Sequence, residues 1–410
     1  MDIQILPRKL SGVVTPPPSK SVAHRLLLAA ALSGEISTLR NTAASQDIDA
    51  TLRCIAAMGV GVEQSGETVL RIHGLGHSIS QPHLSDFTLF DCGESGSTLR
   101  FLIPIALAVA GGGRFTGRGR LMERPQQPYF DLFDEKGISY ELSGGILTVQ
   151  GRLTPGVYAL PGNVSSQFVT GLLYALPLLS SDSEIRMTTP LESRSYVDMT
   201  LGVLQQFGIR VEHQNYERFL VPGSQTYTAQ DLTIESDWSQ AGFWYAANFL
   251  DNQVNISGPN YQSRQGDMVI TRLYWTLARP GDVVIDISDC PDLLPPLAVM
   301  AAVRQGTTRF INAARLRLKE SDRLTTTAAL THALGGQAEE LPEGLIIHGR
   351  PTLSGGTVDG ANDHRIVMAA AIAATACTAP VTIRGAEAVN KSYPGFWDDY
   401  RHLGGDAHVL

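Results

Sequence analysis

Six times along this chain, a short polar or charged phrase opens a long apolar run of helical character. Ser19-Lys20-Ser21 opens Val22 to Leu32, Glu94 to Arg100 opens Phe101 to Ala110, and Ser165-Ser166-Gln167 opens Phe168 to Leu179. Asp237-Trp238-Ser239 opens Gln240 to Leu250, Cys290-Pro291-Asp292 opens Leu293 to Val303, and Asn362 to Arg365 opens Ile366 to Ala376. A helix that is apolar on nearly every face belongs inside a core. A strand-like phrase follows each run, such as Ser37 to Asn41 or Thr308 to Asn312. Then usually comes an amphipathic helix that stops at glycine, as at Gly59, Gly137, Gly208 and Gly335. The pattern reads as about six copies of a roughly 70-residue α/β module, the fourth shorter, sharing almost no residue identity.

Six such modules suit two domains of three each, and 410 residues exceed the usual reach of one core. If the buried helices of a domain run alike, their N-termini gather at one end. Two such ends facing each other form an anion-binding cleft between the domains.

The charge pattern points the same way. A net charge of −8 argues against broad nucleic-acid or anionic-membrane binding. Positive charge is nevertheless concentrated: Arg114, Arg118, Arg120 and Arg124 fall within eleven positions, and Arg315, Arg317, Lys319 and Arg323 within nine. That combination fits a small anionic ligand better than a polyanion. Cys54, Cys92, Cys290 and Cys377 are far apart and offer no zinc spacing, so reduced thiols in the cytosol are expected. No apolar run approaches a membrane span, and Met1 to Val14 lacks a signal-peptide core. No interface signature stands out, so a monomer is expected.

Several phrases carry candidate chemistry. Lys20 and Arg25 sit at the positive end of a helix dipole, which is unfavourable for cations unless an anion is held there; the alternative is a solvated first turn. Lys319 and Arg323 lie i,i+4 apart, with Arg315 one turn back if that segment is helical too, a like-charge ladder that an anion relieves. The alternative is a solvated helix start capped by Ser321 or Asp322. Arginines in the Arg120 to Pro125 loop suit carboxylate or phosphate. Gly93 to Thr98 lacks the ending of a nucleotide phosphate loop, while Gly96 permits close approach of a ligand to the backbone. Asp292 reads either as a helix cap or, if buried near lysine, as a base, Asn362 to Arg365 reads as another cap, and His364 has no metal partner at a usable spacing.

Taken in order, Pro18-Ser19-Lys20-Ser21 with Arg25, Gly96 with Arg100, Arg120-Leu121-Met122-Glu123-Arg124-Pro125, Ser165-Ser166-Gln167, Lys319 to Arg323, Asp363-His364-Arg365 and Lys391 resemble the 5-enolpyruvylshikimate-3-phosphate synthase family, the 3-phosphoshikimate 1-carboxyvinyltransferases. The resemblance spans nearly the whole chain. It implies an α/β (α+β) fold of two similar domains, each of three βαβαββ modules with buried helices, the inside-out α/β barrel of enolpyruvyl transferases. The domains would be residues 15–235, and 1–14 with 236–410, with the active site in the cleft between them. The implied reaction joins phosphoenolpyruvate to the 5-hydroxyl of shikimate-3-phosphate through a tetrahedral intermediate and releases phosphate, on the shikimate pathway to chorismate and aromatic amino acids. It requires no metal or organic cofactor. The family's herbicide glyphosate is an expected inhibitor, since Gly96 is retained.

The resemblance also implies roles. Ser21, Arg25, Ser165, Ser166, Ser193, Tyr196, Arg315 and Lys319 fall on the shikimate-3-phosphate side, and Gly96, Arg124, Arg323, Arg365 and Lys391 on the phosphoenolpyruvate side. Lys20 and Gln167 lie between the substrates, Asp292 is the base on the hydroxyl, and Glu320 with Lys20 carries the proton at the enolpyruvyl carbon. Ala23-His24, Glu94 and Arg315 depart from the best-known members, which have Ser-Asn and two asparagines there. One rival is the sister enzyme acting on UDP-N-acetylglucosamine, but its loop cysteine is absent from Arg118 to Pro125. A non-catalytic sugar-phosphate binder is the other, and it has no need of Asp292 and Glu320 among anion ligands.

Overall fold

The computed structural model describes residues 1–76 and 88–410. They divide into two compact units, Pro18–Glu235 and Met1–Pro17 with Ser236–Leu410. The first crossing falls after Pro17. Thr15 and Pro17 are tied to the second unit, through Thr15 Oγ1···Ser257 Oγ at 2.7 Å and Asp237 N–H to Pro17 O at 2.9 Å.

In Pro18–Glu235, the helices are α1 (Lys20–Leu32), α2 (Gln46–Ala57), α3 (Gly96–Ala110), α4 (Gln127–Lys136), α5 (Ser166–Ala175) and α6 (Arg194–Gln206). Helices α1, α3 and α5 are the buried runs, and each begins where a serine hydroxyl accepts a first-turn N–H: Ser19, Ser95 and Ser165. Helix α3 stops at Gly111, whose φ of 76° suits the left-handed cap. Three four-stranded sheets surround these helices. In the second module, Leu89–Asp91 pairs parallel with Gly112–Thr116, which pairs antiparallel with Ile146–Gln150, and Ser139–Ser143 closes the edge. The order along the chain is β-α-β-α-β-β. The third module repeats it from Val157–Leu160 to Arg218–Val221. The first module takes its opening strand, Asp231–Thr233, from the far end of the unit.

The second unit holds α7 (Trp238–Phe249), α8 (Ile270–Leu277), α9 (Leu294–Val303), α10 (Arg323–Ala333), α11 (His364–Ala374) and α12 (Phe396–His402). Helices α7, α9 and α11 are its buried members and pack on one another. Two of its sheets are four-stranded. The short fourth module has only Ser11–Val14 beside Gln253–Ile256, in parallel, without a closing hairpin. Strand Ile3–Leu6 lies inside the last sheet, between Val381–Arg384 and Asp406–Val409, antiparallel to both. Each unit has its own apolar core, one around Leu27, Leu102 and Leu172, the other around Trp244, Leu297 and Val367. Truncating such a side chain to alanine costs about 2–5 kcal/mol.

Candidate active site

In Pro18–Glu235, the polar openings of the buried helices carry most of the expected residues. Lys20 begins α1, and its ammonium donates to Asp47 Oδ2 at 2.7 Å across to the first turn of α2. One turn on, Arg25 is buried at 3 % exposure. Its guanidinium donates to Thr200 Oγ1 at 2.9 Å, Ser21 O at 2.7 Å and Tyr196 O at 3.0 Å, and lies over the Phe101 and Tyr196 rings. Burial lowers its pKa, so an anion there meets a cation with little water to screen it. Ser193 precedes α6 in the left-handed region, φ 55°. Such strain costs of order 1–3 kcal/mol and gathers at functional sites.

A second group forms at the start of α3. A Cβ on Gly96 would lie 2.8 Å from Arg124 Nη1 and 3.6 Å from Gln167 Oε1, so this backbone faces both side chains directly. Arg100 donates to Gln167 Oε1 at 2.8 Å and to Pro125 O at 3.1 Å, and stacks over Phe168. Gln167 in turn donates to Ser97 Oγ at 2.9 Å. Arg100 and Ser97, which sequence reasoning left without a role, thus fix Gln167 and the Arg124 loop. The Glu94 carboxylate lies against Gly119, 2.7 Å from where a Cβ there would stand.

In the second unit the centre is Arg323, 1 % exposed at the start of α10. Its guanidinium donates to three carboxylates: Asp292 Oδ1 at 2.8 Å, Glu320 Oε2 at 2.7 Å and Asp363 Oδ2 at 2.8 Å. Arg365 donates to Asp292 Oδ2 at 2.8 Å and to Ser239 Oγ at 3.0 Å. Asp363 also caps α11 through Arg365 N–H at 3.0 Å. Burial opposes ionisation of Asp292, but Arg365, Lys319 and Arg323 together hold its carboxyl well below the usual range. For Arg323, burial is outweighed by Asp363, Glu320 and Asp292, which raise its pKa well above the ordinary value. Burial lowers Lys319 to about 8, against the pull of Asp292. Lys391 donates to Asn362 O at 2.6 Å, and Gln240 from α7 holds the next residue, Ser392, at 3.0 Å.

The expected ladder of Arg315, Lys319 and Arg323 on one helix does not form. Residues Ala314–Leu318 make a 3-10 turn, Lys319 is extended, and Asp322 caps a new helix beginning at Arg323. Arg315 is anchored instead on Ser288 O, yet it still faces Lys319 closely enough to depress its pKa. Asp292 is no helix cap; its carboxylate is spent on the two arginines. Asp363 is both cap and arginine partner, a double role its sequence position alone does not disclose.

Known proteins share this architecture. The EPSP synthase from Acinetobacter baumannii aligns over 100% of this chain and 99% of its own, with TM-score 0.81 and 23% identity. The enolpyruvyl transferase NikO from Streptomyces tendae aligns over 99% and 98%, with TM-score 0.76 and 18% identity. The fold is therefore that of the enolpyruvyl transferases. Sequence comparison goes further. Residues 6–400 match the family model described as EPSP synthase (3-phosphoshikimate 1-carboxyvinyltransferase). A 3-phosphoshikimate 1-carboxyvinyltransferase of Clostridium kluyveri is 44% identical over 422 residues, covering 98% of this chain and 97% of its own. That of Clostridium novyi is 43% identical over 429 residues, covering 98% of each. The chain belongs to the EPSP synthase family.

Proposed function

We infer that this protein transfers the enolpyruvyl group of phosphoenolpyruvate to the 5-hydroxyl of shikimate-3-phosphate and releases phosphate, serving aromatic amino-acid biosynthesis. The observation that carries the reading is the pairing of Asp292 and Glu320 with Arg323, and of Asp292 with Arg365. A site that only binds anions gains nothing from carboxylates on its arginines. Proton transfer needs them, and a positioned acid or base is worth roughly 10²–10⁴-fold.

Arg25, Ser21, Ser165, Ser166, Ser193, Tyr196, Arg315 and Lys319 hold shikimate-3-phosphate. Arg124, Arg323, Arg365, Lys391 and the Gly96 backbone hold phosphoenolpyruvate, with Lys20 and Gln167 serving both. Phosphoenolpyruvate carries several negative charges, and these compete with Asp292 and Glu320 for the arginines. Drawing a guanidinium away from a buried carboxylate raises that carboxylate's pKa. Asp292 then accepts the 5-hydroxyl proton as the oxygen attacks the central enolpyruvyl carbon. Glu320, assisted by the charge of Lys20, delivers a proton to the methylene carbon. Reversal of that proton step expels phosphate from the tetrahedral intermediate and restores the double bond. Addition and elimination by proton transfer call on no metal or organic cofactor. The net charge of −8 and four buried free cysteines support a cytoplasmic monomer acting on small anions, not on nucleic acid or membrane.

The test is phosphate release from phosphoenolpyruvate with shikimate-3-phosphate or UDP-N-acetylglucosamine as acceptor. Release with shikimate-3-phosphate alone is expected. Release with the nucleotide sugar alone, or with neither, overturns the reading.

A further inference from the structure

A chain of buried polar side chains crosses the helical core of Pro18–Glu235, where the neighbours are leucine and alanine. His24 Nδ1 lies 2.7 Å from Thr51 Oγ1, which lies 2.7 Å from Thr98 Oγ1, which donates to Ser95 Oγ at 2.8 Å. All four residues are at most 1 % exposed. They link α1, α2 and the start of α3. Thr98 gives its proton to Ser95, and the Thr51 hydroxyl also reaches Asp47 O at 3.3 Å. Nε2 of His24 is buried and without a hydrogen-bond partner. Burial, with Lys20 and Arg25 nearby, holds the ring well below its usual pKa, so it stays neutral.

Such a chain adds little to stability over aliphatic packing, because each group gives up water to make its bond. It does fix geometry, since a partly broken buried network is costly. The geometry in question is that of Ser95, directly before Gly96. Ser95 also accepts Thr98 N–H at 3.2 Å, so its hydroxyl closes the first turn of α3. At the other end, Thr51 lies one helical turn from Asp47, the partner of Lys20.

We propose that His24, Thr51 and Thr98 are positioning residues for phosphoenolpyruvate, holding the Ser95–Gly96 turn in register with α1 and α2. This rests on the assignment of Gly96 to phosphoenolpyruvate made above. The relay sets where the Gly96 backbone stands against Arg124 and Gln167, and leaves the Arg25 pocket untouched.

The experiment compares Thr51→Val and Thr98→Val, which keep shape and lose the hydroxyl, with Thr98→Ser, which keeps it, and with His24→Asn. Steady-state kinetics give KM and kcat, calorimetry gives shikimate-3-phosphate binding, and melting curves identify folded variants. Each valine variant should raise the KM for phosphoenolpyruvate about five- to thirty-fold, while shikimate-3-phosphate affinity stays within about two-fold. Thr98→Ser should restore the wild-type KM, and the double valine variant should be no worse than either single. If one valine variant does not fold, the other decides the matter alongside His24→Asn. An unchanged KM in a folded valine variant, or equal weakening of both substrates, overturns the proposal. Wild-type protein that releases no phosphate with shikimate-3-phosphate refutes the reaction reading itself, and the proposal with it; that result is distinct from the variant comparison.

Discussion

Replacing Asp363 with asparagine isolates one arm of the Arg323 cluster. Asp363 is fully buried, and its two oxygens have different duties. Oδ1 accepts Arg365 N–H at 3.0 Å and, more weakly, Arg323 Nη2–H at 3.4 Å, while Oδ2 accepts Arg323 Nε–H at 2.8 Å and the Ser321 hydroxyl at 3.0 Å. In asparagine the carbonyl keeps the helix cap, and the amide NH₂ takes the place of Oδ2. It then confronts two donors. Ser321 escapes by turning its hydroxyl to Thr326 Oγ1, 3.1 Å away. Arg323 has no such freedom, because Asp292 and Glu320 grip the other side of its rigid fork. Breaking a buried ion pair from one side costs about 3–5 kcal/mol. The two remaining carboxylates still neutralise the arginine, so the lower end, about 3 kcal/mol, is expected. All four tryptophans (Trp238, Trp244, Trp275 and Trp397) lie in the unit that contains Asp363, so their fluorescence reports its unfolding alone. With a urea dependence of about 2–3 kcal/mol/M, the midpoint should fall by roughly 1–1.5 M. Ser321→Ala, which removes a neutral donor, should cost only about 1 kcal/mol. A midpoint shift for Asp363→Asn no larger than that of Ser321→Ala would refute the charge-pairing argument.

Further outcomes follow from the same geometry. Lys319, lowered to about 8, loses its charge as pH rises through that value, so shikimate-3-phosphate should bind more weakly above pH 8; calorimetry from pH 7 to 9.5 with no such loss contradicts it. The stability contribution runs oppositely: between about 8 and lysine's ordinary value of 10.5 the unfolded chain binds more protons than the native one, so this group's contribution rises with pH across that window. Gly96→Ala drives a methyl into Arg124 Nη1 and should raise the KM for phosphoenolpyruvate about ten-fold or more, with shikimate-3-phosphate binding unchanged; equal effects on both would show that the clash is relieved elsewhere. Glyphosate should inhibit wild-type turnover, and a titration flat into the millimolar range counts against the Gly96 assignment.

Much of this architecture is legible in the chain because local rules and burial agree. The buried helix expected from Phe101 starts at Gly96, five residues sooner, because Ser95, inside the polar opening phrase, is the cap. Strand Thr307–Ile311 sits one residue from its expected place. Helices α8 and α12 are not legible in the sequence, because their short amphipathic stretches carry no polar opener and no long apolar run. The site is legible only in part. Residue types single out Lys20, Arg25 and Arg323 as candidates to meet an anion. The lattice of Asp292, Glu320, Asp363, Arg323 and Arg365 is assembled by tertiary packing of segments up to 73 positions apart, which no spacing rule encodes. Arg315 shows the converse, since a helical period projected through it fails where Lys319 turns extended.

Strand Ile3–Leu6, inside the last sheet, also sets an order of events during synthesis. Ile3 pairs with Ile383, 380 positions later. At about 5–20 residues per second, a ribosome takes roughly 20–75 s to supply that partner. The contiguous unit Pro18–Glu235 has all its strands long before then. The other unit must keep an early apolar strand in waiting while an entire neighbour is made, and it closes its final sheet only when Asp406–Val409 arrives. Reordering the gene so that residues 236–410 come before 1–17 would shorten that wait to a few seconds.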